Sequence, residues 1–149
     1  MTLEERMESG KLYDGASEEL QAKQRIFNEL VYDFNATRPS EVEKRLELLR
    51  QLFAEVGEGC WIEPPLRANW GSHTHLGNHV YANFNLTLVD DTHVYIGDHV
   101  MIGPNVTITA AGHPIEPSLR WDAAQYNFPV RIEENVWIGA GAIILPGVT

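Results

Sequence analysis

The chain is poor in several things at once, and each shortage removes a class of protein. It has one cysteine, Cys60, so no internal disulfide can form and a disulfide-stapled scaffold is excluded. No apolar run approaches the roughly 20 residues that a membrane-spanning helix needs. Met1 to Gly10 is charged and lacks the apolar stretch of a signal peptide. Basic residues are scarce as well: 11 Lys and Arg stand against 21 Asp and Glu, a formal net charge of -10. That balance opposes binding to nucleic acid or an anionic membrane, which requires a basic face. The expectation is a soluble cytoplasmic protein about one domain long, large enough to bury a core.

What is plentiful is a comb of aliphatic residues. Leu76, Ala82 and Leu88 stand six apart, as do Ile96, Ile102 and Ile108, and again Ile132, Ile138 and Ile144. Four residues after most of them comes a second small or branched residue: Val80, Leu86, Val100, Val106, Val136, Ala142 and Val148. A period of six matches neither the 3.6 of a helix nor the alternation of an ordinary strand. It matches a short strand plus a turn, repeated with the aliphatic always pointing the same way. Three such units close one triangular coil of a parallel β-helix, and stacked coils supply a core that no single coil could bury. Gly77, Gly97, Gly103 and Gly139 follow comb residues directly, where a side chain would be crowded or φ unfavourable. A plain sandwich of short strands would not phase so many marked units.

Upstream the period changes to a helical one. Residues 17 to 34 put Leu20, Phe27, Leu30, Val31 and Phe34 on one stripe, with Ser17 as N-cap. Asn35 to Pro39 breaks this helix. Ser40, with Glu43 three residues on, opens a second helix by a capping box; Val42, Leu46, Leu49 and Phe53 form its apolar face and Gly57 stops it. The helices are expected to cover the first open coil and its unpaired strand edges. Residues 1–58 thus read as a helical cap and 59–149 as the β-helix, beginning with an irregular coil from Cys60 to Gly71 that contains Pro64 and Pro65.

The comb is interrupted twice. Between Leu88 and Ile96 the step is eight, so residues around Asp90, Asp91 and Thr92 bulge outward; between Ile108 and Ile132 it is twenty-four, and residues 110–129 leave the coil as a loop. Insertions on a rigid solenoid are where binding groups collect. Phasing also sorts the six histidines. His79 and His99 fall at equivalent outward positions and should stack about 5 Å apart, His73 and His75 precede the comb, and His93 lies in the bulge. Only His113 stands at the root of the long loop, and Pro114 holds its backbone extended. Imidazole is a natural general base near neutral pH.

Five motifs in order carry a resemblance: Tyr81-Ala82-Asn83-Phe84-Asn85, Val89-Asp90-Asp91, Ile102-Gly103-Pro104-Asn105-Val106, Gly112-His113-Pro114 and Asn135-Val136-Trp137-Ile138-Gly139. They resemble the galactoside and maltose acetyltransferases and the related nodulation acetyltransferases, within the hexapeptide-repeat acyltransferases. Ser9 to Tyr13 is similar to the opening of the maltose-acetyltransferase helical segment, and Pro39 to Arg45 and Trp61 to Pro65 resemble the galactoside branch.

The resemblance implies a mainly β fold, a left-handed parallel β-helix of hexapeptide repeats behind a short N-terminal helical segment. It implies direct transfer of acetyl from acetyl-CoA to a sugar hydroxyl, with His113 as catalytic base and no metal. Asn83, Asp91 and Asn69 are implied as acceptor-binding residues, and so is Asp14, one residue from an acidic position of the galactoside branch. Ala140, through its backbone N–H, and Trp137 are implied at the coenzyme. A homotrimer with active sites between subunits is implied too. Gln125 stands in the loop facing the histidine, where several relatives carry Glu. The comb stops at Thr149 where relatives continue with further coils, so a truncated product is expected. Two other readings stay open: a non-catalytic remnant of such an enzyme, and a metalloenzyme similar to the gamma-class carbonic anhydrases built around His79 and His99.

Overall fold

The computed structural model describes residues 1–149. Helix α1 (Leu3–Glu8), strand β1 (Tyr13–Asp14), α2 (Glu18–Asn35) and α3 (Val42–Leu52) open the chain. Three-strand coils follow: β2 (Glu55–Val56), β3 (Trp61–Ile62) and β4 (Leu66–Ala68); β5 (Thr74–Leu76), β6 (Tyr81–Ala82) and β7 (Leu86–Val89); β8 (Val94–Ile96), β9 (Met101–Ile102) and β10 (Thr107–Thr109). An excursion holds β11 (Ala111–Gly112), α4 (Pro117–Arg120) and β12 (Ala124–Asn127), and the last coil is β13 (Val130–Ile132), β14 (Trp137–Ile138) and β15 (Ile143–Ile144). Strands of successive coils pair in parallel and make three sheets: β2-β5-β8-β13, β3-β6-β9-β14 and β4-β7-β10-β15. The result is a left-handed parallel β-helix.

The register turns the comb into three interior columns. Val56, Leu76, Ile96 and Ile132 stack in the first sheet, Ile62, Ala82, Ile102 and Ile138 in the second, and Ala68, Leu88, Ile108 and Ile144 in the third. Most are fully buried in one continuous core, where each side chain meets its counterpart in the neighbouring coil. The comb therefore begins at Val56, not at Leu76. The expected irregular coil at Cys60–Gly71 is an ordinary first coil, and its start at Glu55 precedes the expected boundary at residue 59. Its step from Ala68 to Leu76 is also eight, so the Asp91 bulge repeats one at Trp70–His73 in the coil below.

Crowding accounts for the glycines that directly follow Leu76, Ile96 and Ile102. A Cβ on Gly97 would lie 2.8 Å from the Glu134 amide nitrogen, and one on Gly103 would lie 2.7 Å from that of Ala140. Left-handed backbone instead falls two residues later, at His79, His99, Asn135, Asn85 and Asn105, among residue types that tolerate it. The expected choice between crowding and φ resolves in favour of crowding at Gly77, Gly97 and Gly103, while a Cβ on Gly139 would meet nothing within 4 Å. His79 and His99 stack with centroids 5.0 Å apart and planes 18° from parallel, as the phase demanded.

Helix α2 covers the open coil. Ser17 caps it by accepting the Leu20 N–H. The Asn35 side chain accepts the Leu66 N–H at 2.7 Å and donates to the Leu66 carbonyl at 2.8 Å, and Asn28 donates to the Asn69 carbonyl at 3.0 Å. These amides satisfy the free edge of β4. Helix α3 departs from expectation at its start. Its N-cap is Glu41, without a side-chain cap bond, because the Glu41 carboxylate accepts the Arg38 N–H instead; Ser40 forms no capping box. Leu49 and Phe53 are buried, Leu46 is half-buried and Val42 is exposed. The helix stops at Leu52, before Gly57, because residues 55–56 are already committed to the first sheet.

Candidate active site

The edge between the third and first sheets gathers the chemistry-bearing groups. Strand β11 pairs antiparallel with β12, and β12 pairs with β1, so Gly112 lies opposite Tyr126, Tyr13 opposite Gln125 and Asp14 opposite Ala124. Gly112 has no room for a side chain: a Cβ there would stand 2.7 Å from the Tyr126 ring. The next residue, His113, is exposed. Its Nδ1 lies 2.9 Å from the Ala124 carbonyl oxygen. A carbonyl only accepts, so Nδ1 carries the proton and Nε2 of the neutral ring keeps its lone pair toward solvent. Asp14 sits beside this contact, its Oδ1 accepting the Ala16 N–H at 2.8 Å.

Asp91 lies on the same edge in a buried network. Its Oδ1 accepts from the Asn69 amide at 2.9 Å and its Oδ2 from the Gln125 amide at 2.6 Å. Gln125 and Asn127 also donate to the Tyr13 hydroxyl, at 2.7 and 2.8 Å, and Asn127 reaches the Met7 carbonyl at 3.0 Å. Burial pushes the Tyr13 phenol up to about 12, so it stays protonated at any working pH. Gln125 thus serves Asp91 rather than facing His113 as the sequence suggested; the loop group that meets the histidine is the Ala124 carbonyl. Tyr13, Gln125 and Asn127 were absent from the expected acceptor residues. The signal available was the polar Gln125 and Asn127 alternating with Tyr126 and Phe128, a strand with its polar face turned inward.

The remaining expected residues lie elsewhere. Asn83 opens the turn between the second and third sheets; its Oδ1 accepts the Phe84 N–H at 2.8 Å and its amide nitrogen donates to no protein group. Trp137 projects from β14, 78 % exposed, and Ala140 lies in the next turn, two coils above Asn83 on the same edge. The structure therefore brings together His113, Asp14, Asp91 and Asn69 on one edge, and Asn83, Ala140 and Trp137 on or beside another. His79 and His99 stand on the third edge. No set of three or more His, Cys, Asp or Glu side chains converges as a metal ion would require.

A left-handed β-helix of six-residue units, broken by one loop that presents an imidazole, is the architecture of a hexapeptide-repeat acyltransferase. Residues 6–57 match the maltose acetyltransferase hexapeptide capping motif, and residues 129–149 match the hexapeptide repeat of succinyl-transferase. A galactoside O-acetyltransferase of Escherichia coli is 49 % identical over 100 % of the chain and 73 % of its own length. Among solved structures, a galactoside acetyltransferase in complex with coenzyme A superposes with a TM-score of 0.94 at 48 % identity, over 99 % of this chain and 74 % of that one. A maltose O-acetyltransferase of Clostridium difficile superposes with a TM-score of 0.96 at 42 % identity, over 99 % and 79 %. The chain belongs to the galactoside and maltose O-acetyltransferase family.

Proposed function

We propose that the protein transfers the acetyl group of acetyl-CoA directly to a hydroxyl of a galactoside, glucoside or maltose-type sugar, with His113 as general base. The observation that carries this is the His113–Ala124 contact, which fixes the tautomer and leaves Nε2 as the basic atom of an exposed imidazole at the root of the loop. The sugar oxygen attacks the thioester carbonyl carbon while Nε2 takes the hydroxyl proton. The tetrahedral adduct then collapses, the C–S bond breaks, and the imidazolium returns its proton to the departing thiolate. Products are the acetyl ester and free coenzyme A, with no acyl-enzyme.

Asn83, Asp91, Asn69 and Asp14 are read as acceptor ligands because amides and carboxylates match sugar hydroxyls, and orientation of one hydroxyl beside the base lowers the barrier. The Ala140 N–H is read as a donor to the developing oxyanion and Trp137 as a wall for the coenzyme. Since Asn83 and His113 occupy different edges of one prism, we read the active site as shared between copies, in a homotrimer. The outward column Trp61, Tyr81, Met101 and Trp137 on the second sheet supports burial against a neighbour.

The test is thiol release from acetyl-CoA with a panel of galactosides, glucosides and maltose. Sugar-dependent release together with recovery of the acetyl ester is expected. Thiol release independent of every sugar contradicts the reading.

A further inference from the structure

Beneath the Asp91 network lies a second carboxylate that the chemistry above does not use. Asp90 is completely buried. Its Oδ1 accepts the Trp70 N–H and its Oδ2 the Thr74 hydroxyl, both at 2.9 Å. Its backbone carbonyl accepts from His73 Nδ1 at 2.7 Å, and that ring stacks on Trp70 at 5.0 Å. Trp70 and His73 belong to the two-residue-longer turn of the coil below, and Thr74 begins strand β5 directly after it. Trp70 directly follows Asn69, whose amide holds Asp91 Oδ1. Adjacent carboxylates therefore reach down to one turn in opposite senses: Asp90 grips its backbone from inside, while Asp91 meets its Asn69 side chain at the edge. The matching steps of eight in both coils place these turns one above the other.

We infer that Asp90 is a positioning residue for the sugar: by clamping Trp70 and Thr74 it fixes Asn69 against Asp91 and so sets the acceptor pocket, without touching substrate. This rests on the acetyl-transfer reading. A clamp at this place governs acceptor affinity and leaves the coenzyme side alone, because its bonds run to Trp70, Thr74 and His73 and none reaches Trp137 or Ala140.

Three variants test it. Asp90→Ala removes both acceptors. Thr74→Val removes one bond while keeping shape. Asp90→Asn keeps a carbonyl for Trp70 and an amide that donates to Thr74. The expected result is a sugar KM raised about tenfold in Asp90→Ala, by the loss of about one hydrogen bond's worth of alignment. A smaller rise is expected in Thr74→Val and a value near wild type in Asp90→Asn, with the acetyl-CoA KM unchanged throughout. Activity that falls only with the folded fraction, at constant sugar KM, overturns the proposal. If Asp90→Ala does not fold, the Thr74→Val comparison decides. If the wild type acetylates no sugar, the functional reading fails on its own. The clamp is then read from hydrogen exchange of the Asn69 side-chain amide, expected to be several-fold faster in Thr74→Val; equal exchange rates overturn it.

Discussion

Asp91 is buried and each of its carboxylate oxygens accepts from an amide, of Asn69 and of Gln125. A buried acceptor left without its donor costs about 1–3 kcal/mol. Gln125→Ala is therefore expected to lower the free energy of unfolding in urea by about that amount, with little change in m-value; an unchanged midpoint would contradict the network. Asp90 gives a pH signature. Burial raises its carboxyl from 3.8 to about 7, so the fold favours the neutral form. That contribution is complete below about pH 4 and is lost as pH rises through about 7. Asparagine has no proton to lose, so the melting temperature of Asp90→Asn should gain on wild type between pH 4 and 7. A difference that stays flat over that range would remove Asp90 as the source. The chemistry of these residues was partly legible: Asp91 and Asn69 could be picked out individually, but not that they bond to each other. The contact of Gln125 with Tyr13 spans 112 positions of sequence and depends on an N-terminal strand folding back onto the loop, which no local pattern encodes.

Elements show the same division between pattern and context. The comb was readable because each rung repeats one demand, an inward aliphatic between crowded turns. The first coil read as irregular because Ala68 and the Pro64–Pro65 pair dilute that signal, although Val56, Ile62 and Ala68 keep the step of six. Ser40 and Glu43 have the spacing of a capping box, yet Glu41 competes by taking the Arg38 N–H, so spacing alone misplaced the cap. Two substitutions separate real from apparent caps. Asn35→Ala strips both bonds from Leu66 on the coil edge and should cost about 1–3 kcal/mol, whereas Ser40→Ala should stay within about 0.5 kcal/mol in the same urea titration. Comparable losses for the two would contradict the assignment. Gly103→Ala would press a methyl group against the Ala140 backbone, 2.7 Å away, and should cost about 1–3 kcal/mol by overpacking.

For the whole molecule, the decisive fact is that the two groups of candidate residues lie on different edges of one prism. Sequence phasing separated outward from inward positions; the resemblance implied that Asn83 and His113 come from different copies, and the three columns laid side by side show why one copy keeps them apart. The account therefore requires a neighbouring copy. Mixing His113→Ala with Asn83→Ala subunits should restore part of the activity that neither variant has alone, since some interfaces regain both residues; no recovery after subunit exchange would contradict a shared site. The central claim is the base itself. The direct measurement is acetyl-CoA thiol release at saturating sugar by wild type and by His113→Ala, with oligomeric state and melting temperature matched. The account predicts a fall in kcat of at least about 100-fold on losing a general base. Undiminished sugar-dependent turnover in His113→Ala would contradict it.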